Sequence, residues 1–346
     1  MRCNWNSRFV SRREFIACGA VMSGASGTKA LASLAKDEES PVRLEGTASR
    51  PNGFRKLRGT IAAIITPLSG AGPDHARLLS LAHHLLDSGC DGLNLLGTTG
   101  EATSLSVDER LGLMAAVAGS NLPKERLMVG TGAAALSDAV KLSKGATELG
   151  FSGLLLLLPF YYKNVTESGI IAYVSQIVEA TAASSASIYL YNYPALSGVT
   201  YTLPMIAELL RRHGTRIAGL KDSSGDFAYA RAATKLSKTF DVFPSTEASL
   251  LEARSGVFAG CISATANVTS VECGKAFRHG DAAALRRAVA IRRAFEGVPL
   301  VPAVKYIVSK VHQDPNLCRV IPPLAELDKK TVESLETRLR TVEENS

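Results

Sequence analysis

The stretch "TIAAIITPLSGAGPDHARLLSLAHHLLDSG", residues 60–89, decides the fold. It opens with a near-continuous apolar run and closes with apolar residues at i, i+3, i+4 and i+7, so it predicts a buried strand followed by an amphipathic helix. Between them lies "TPLSGAGPDH", a poor match to the glycine-rich phosphate loop that normally announces an open, doubly wound sheet. The same alternation recurs down the chain. Further apolar runs read "DGLNLLGTTGE" from Asp91, "RLMVGTGA" from Arg126, "SGLLLLLPFYY" from Ser152 and "SIYLYNYPA" from Ser187. "RIAGLKD" from Arg216, "FDVFPSTE" from Phe240 and "FAGCISATANV" from Phe258 complete the set, with helix-like stretches such as "LSDAVKLSKGATELG" between them. Eight strand-helix units of this kind predict a closed (β/α)8 TIM barrel over 57–280, a parallel sheet covered on its outer face. Three helical patterns follow at about 281–296, 301–311 and 328–342, and predict a C-terminal helical region over 281–346 that packs on the barrel or on a neighbouring subunit.

The chain has 346 residues, 46% hydrophobic and 21% charged, enough for a substantial core. Two domains are the ordinary expectation at this length, but an α/β barrel uses about 250 residues as one. The net charge of +7 is uneven: residues 1–32 hold five Lys/Arg and one Glu, a net +4, leaving +3 for the rest. That remainder shows no basic run interleaved with aromatics, which argues against nucleic acid. In the first 32 residues, Arg12 and Arg13 precede Phe15 and Ile16, a weakly apolar small-residue stretch, and Ala30-Leu31-Ala32 as a small-x-small cleavage site. This is similar to a twin-arginine export signal and predicts a periplasmic protein, with a cytoplasmic one as the alternative if the leader does not function. Residues 33–56 read as a linker. No stretch is apolar and long enough to predict a membrane anchor. Cys90, Cys261, Cys273 and Cys318 show no metal-ligand spacing, so no metal is expected, and a disulfide stays open.

In a barrel, catalytic groups stand where strands run into the loops that follow. Those positions hold Thr98 and Thr99 after the second strand, Tyr161 after the fourth, Tyr191 ending the fifth, Lys221 ending the sixth, and Ile262 on the eighth. Lys221 follows Ile217, Ala218, Gly219 and Leu220, where an ammonium is costly to desolvate. Either it marks the point where the strand meets solvent, or it is an amine with a depressed pKa that attacks a carbonyl. The neighbours favour the second reading. Small hydroxyls and the turn amides of Gly97, Thr98 and Thr99 suit a carboxylate, the lysine an imine at a keto carbon, and the phenol the accompanying proton transfers. A 2-keto acid fits that set, with no cofactor beyond the covalent imine itself. Asp222, next along the strand, should face the opposite side.

Four motifs in this order, "GTTGE", "YNYPALSG", "GLKDSSGD" and "ISATANV", resemble the dihydrodipicolinate synthase / N-acetylneuraminate lyase family of class I, pyruvate-handling aldolases. The resemblance runs from Arg58 to the C-terminal helices. It implies a (β/α)8 barrel assembled as a homotetramer or homodimer, and a lyase that joins pyruvate to an aldehyde or releases it from a longer 2-keto acid. It assigns the Schiff base to Lys221, proton transfer to Tyr191, and the relay and pyruvate carboxylate to Thr98 and Thr99. Tyr161 would match a tyrosine that some members lend across the dimer interface. Where dihydrodipicolinate synthases carry an arginine for the second substrate's carboxylate, this chain has Leu196. "PALSG" looks like the lyase version, whose hydroxyl-reading positions are kept at Ser223 and Glu247 but not at Ala264. Neither Arg254 nor Lys163 stands at the family's position, so an uncharged aldehyde is the expected partner. True 4-hydroxy-tetrahydrodipicolinate synthase activity and a keto-sugar-acid dehydratase are the enzyme alternatives; a keto-acid binding protein is the non-enzyme one.

Overall fold

The computed structural model describes residues 57–345, apart from 71 and 152; the expected leader and linker lie outside the described residues. Each predicted apolar run contributes one strand: β1 (Gly59–Ala63), β2 (Gly92–Leu95), β3 (Leu127–Gly130), β4 (Gly153–Leu157), β5 (Ser187–Asn192), β6 (Ile217–Asp222), β7 (Asp241–Pro244) and β8 (Gly260–Ser263). The strands are parallel and ordered β8-β1-β2-β3-β4-β5-β6-β7, and the seam between β7 and β8 is joined by the Ala259 N–H donating to the Val242 carbonyl at 2.9 Å. The strands are shorter than the runs because apolar residues serve two jobs. In "TIAAIITPL" the ladder ends at Ala63, while Ile64 and Ile65 go on to pack beneath the helices.

Eight helices wrap the sheet: α1 (His75–Ser88), α2 (Val107–Ala118), α3 (Leu136–Glu148), α4 (Glu167–Ala180), α5 (Leu203–His213), α6 (Phe227–Thr234), α7 (Leu250–Arg254) and α8 (Ala266–His279). In α1 the spacing does what it predicts: Leu78, Leu81, Ala82, Leu85 and Leu86 are buried on one stripe, and the Asp74 carboxylate caps the first turn by accepting from the Arg77 N–H. Two cores result. Ile61, Met128, Leu155, Tyr189, Phe243 and Ile262 fill the barrel interior, and a larger cluster lies between strands and helices. Burial on both faces is why the strands read as continuous rather than alternating. At the β1–β8 junction a Cβ on Gly260 would lie 1.9 Å from the Gly59 carbonyl oxygen, so only glycine allows the closing strands to meet.

Three further helices follow: α9 (Ala282–Ala294), α10 (Leu300–His312) and α11 (Lys329–Glu344). All the described residues fall within one structural unit that includes them. Among the described residues, no helix is long and apolar enough to cross a membrane.

Candidate active site

Parallel strands deliver all their C-terminal ends to one mouth of the barrel. There β5 and β6 pair with Tyr191 opposite Lys221, which sets the two side chains next to each other. The Lys221 Nζ lies 4.1 Å from the centroid of the Tyr191 ring, and the Tyr191 hydroxyl is 3.2 Å from Thr98 Oγ1. Lys221 and Tyr191 are both buried. Desolvation, helped by the positive charge of Arg292, pushes the Lys221 ammonium down to about 7, so a large fraction is free amine near neutral pH. Burial moves Tyr191 the other way, upward against its hydrogen bonds with Thr98 and Ser223, which keeps the phenol protonated and able to donate. Asp222 turns its carboxylate to Asn192 Nδ2 and Ser224 Oγ, each at 2.8 Å, and makes no ion pair with Lys221 among the described residues.

These groups open into a cavity of about 740 Å³. Thr98, Thr99, Ser223 and Ile262 stand on its wall with Lys221 and Tyr191, and Leu196, on the helical turn Pro194–Ser197, stands at its rim, 56% exposed. Three expected site residues are placed elsewhere. Gly97 lies off the wall, where a Cβ would come within 2.5 Å of Asn94 Nδ2; the glycine lets the loop fold back onto its own strand. Glu247 is wholly buried, accepting from Ser263 Oγ at 2.8 Å and Thr265 Oγ1 at 2.5 Å, so its oxygens are committed to protein groups instead of substrate hydroxyls. Tyr161 is 76% exposed, edge to face with Tyr162, and takes no part in the cavity of its own chain.

The expectation of a cavity with no cation besides the lysine is corrected by Arg292. Arg254 donates to the Phe277 and Arg278 carbonyls and Lys163 to the Phe160 and Ser197 carbonyls, so neither reaches in. Arg292, on α9, lines the cavity, and so do Leu300, Val301 and Pro302 at the start of α10. The C-terminal region is therefore part of the site and not an appendage. Nothing in the local sequence singles Arg292 out: Arg286, Arg287 and Arg293 share its helix and its charge.

The model of the dihydrodipicolinate synthetase family matches residues 56–341. An uncharacterized DapA-like lyase of Chloroflexus aurantiacus is 34% identical over 274 residues, 77% of this chain and 91% of its own length. A 4-hydroxy-tetrahydrodipicolinate synthase of Ligilactobacillus salivarius is 28% identical, over 81% of this chain and 97% of its own. Among solved structures, YagE, a prophage protein of the dihydrodipicolinic acid synthase family from E. coli K12 in complex with pyruvate, is 26% identical with a TM-score of 0.74, covering 83% of this chain and 98% of its own.

Proposed function

Since the chain belongs to the dihydrodipicolinate synthetase family, we propose that it is a class I lyase that makes or breaks a 2-keto acid through a pyruvate imine on Lys221. The observation that carries this reading is the buried Lys221 amine beside a phenol that is itself hydrogen-bonded to Thr98. The free amine attacks the keto carbon, and the Tyr191 hydroxyl supplies the proton with which the former carbonyl oxygen leaves as water. Thr98 passes protons to and from Tyr191, while the Thr99 hydroxyl and the Thr98 and Thr99 amides hold the pyruvate carboxylate. The iminium then acts as the electron sink: loss of a proton from the pyruvate methyl gives an enamine, which attacks the aldehyde carbonyl. Water returns to release the product, and the reverse sequence cleaves it. No metal or other cofactor enters these steps, so activity is expected to survive EDTA.

Borohydride trapping tests the reading. With pyruvate, mass spectrometry should find one reduced adduct, on Lys221, absent from Lys221→Ala. An adduct on another lysine overturns the assignment, and trapping without turnover on any aldehyde returns the protein to a keto-acid binder.

Two further parts of the reading concern place and assembly. Arg12, Arg13 and the Ala30-Leu31-Ala32 site support twin-arginine export to the periplasm, and changing both arginines to lysine should leave an uncleaved precursor inside the cell. Exposed Tyr161 supports assembly as a dimer or tetramer in which a second copy covers it.

A further inference from the structure

Arg292 differs from an arginine kept only to neutralise a buried acid. It is anchored through one terminal nitrogen, which donates to Ser263 Oγ at 3.1 Å and Thr265 Oγ1 at 3.2 Å and stands 3.4 Å from Glu247 Oε2. Glu247 is in turn tied down by the same two hydroxyls. Among the described residues no protein group accepts a hydrogen bond from Arg292 Nε or its other terminal nitrogen, and the side chain is 28% exposed on the cavity wall. A structural pair would spend the planar fork on the carboxylate two-on-two; here one corner is fixed and the rest faces the cavity. Its charge acts on both Lys221 and Tyr193, which places the guanidinium within electrostatic reach of the imine-forming end.

Arg292 has buried Glu247 as its ion-pair partner, but among the described residues no carboxylate on the cavity wall takes up the free side of the guanidinium. Lys221 and Arg292 are the cations on the wall among the described residues. Each wall carboxylate is engaged: Glu101 with Lys305, Asp222 with Asn192 and Ser224, and Asp226 with the first N–H groups of α6. The volume, about 740 Å³, leaves ample room beyond a three-carbon acid. We propose that Arg292 is a specificity-determining residue of this cavity, and that the aldehyde partner carries an acidic group, a carboxylate or a phosphate, which the free side of the guanidinium binds. The proposal rests on the lyase reading above, and it relocates the second-substrate cation from the Leu196 position to the C-terminal helix.

The test compares aldehydes matched in length, at saturating pyruvate: succinic semialdehyde against butanal, and glyceraldehyde 3-phosphate against glyceraldehyde. The wild-type enzyme should favour the anionic member of at least one pair by 10-fold or more in kcat/KM. In R292M that preference should fall by about 10- to 100-fold, the scale of a charge-assisted pair, and R292K should recover only part of it. The pair with the larger fall tells carboxylate from phosphate. Equal use of charged and neutral aldehydes by the wild type overturns the proposal, and this result needs no variant to fold. An R292M defect that is equal for all aldehydes, or confined to the KM of pyruvate, overturns it too. Borohydride trapping of pyruvate on Lys221 is run in parallel. Without an adduct in the wild type the lyase reading fails; with one and no selectivity, only the role of Arg292 fails.

Discussion

Lys221 holds its amine away from the water that would stabilise its charge, and that choice has a stability cost with a definite pH dependence. Its folded pKa is near 7 against an unfolded value of 10.5, so between those limits the unfolded chain binds the extra proton and stability rises with pH. The penalty is complete below about pH 7 and gone above 10.5. Lys221→Met should therefore stabilise the protein by about 0.5–2 kcal/mol at pH 6, with the gain shrinking towards pH 10; urea midpoints at three pH values would show it, and a pH-independent gain would refute it. The trapping rate with pyruvate should rise with pH through about 7, and removing the charge in R292M should move that rise to higher pH. Tyr191→Phe should lower turnover by about 10²-fold or more with the fold retained, as read by circular dichroism and steady-state rates. Lys221 was legible in the sequence because a charge directly after four apolar or small residues demands a reason. Arg292 was not, because helical periodicity reports which face a residue occupies and not what that face meets.

The "GTTGE" loop shows how one element is held by another far away in sequence. Leu96 precedes it and Glu101 ends it, with φ values of 52° and 54°, left-handed conformations that cost non-glycine residues about 1–3 kcal/mol each. What maintains them is the Glu101 carboxylate: it pairs with the fully buried Lys305 of α10 and accepts from the Ile321 N–H at 2.7 Å, while Thr66 Oγ1 donates to the Gly100 carbonyl at 2.7 Å. Burial lowers the Lys305 pKa even though the Glu101 carboxylate beside it pulls the other way. Lys305→Met leaves a buried carboxylate unpaired and should cost about 3–5 kcal/mol. Adding Glu101→Gln should recover part of that, and a double-mutant cycle in urea would measure the coupling. In both variants the KM for pyruvate should rise more than kcat falls, since Thr98 and Thr99 lose their brace. Full additivity would show that Lys305 and Glu101 act independently. The strands were legible because each is buried on both faces; this brace was not, because a lysine and a glutamate 204 positions apart carry no local sign of each other.

Across the whole molecule, one surface is out of keeping with an isolated barrel. The loop after β4 presents Tyr161 at 76% and Tyr162 at 72% exposure, and Lys163 ties that loop to the Ser197 carbonyl, next to Leu196 at 56%. The two tyrosines pack edge to face as an exposed aromatic pair, and exposed Leu196 stands on the turn to which Lys163 ties their loop, a composition that suits an interface hot spot. The purified chain should therefore run as a dimer or tetramer in light scattering, and Tyr161→Ser with Tyr162→Ser should weaken it towards monomer, because buried interface tyrosines are worth about 2 kcal/mol or more each. Tyr161→Phe separates assembly from chemistry: it keeps the ring that packs and removes the hydroxyl. If a neighbouring copy receives that hydroxyl in its own proton relay, Tyr161→Phe will lower kcat while the oligomer stays intact. A wild-type monomer would overturn the interface, and an intact oligomer with unchanged kcat would leave Tyr161 as a packing residue alone.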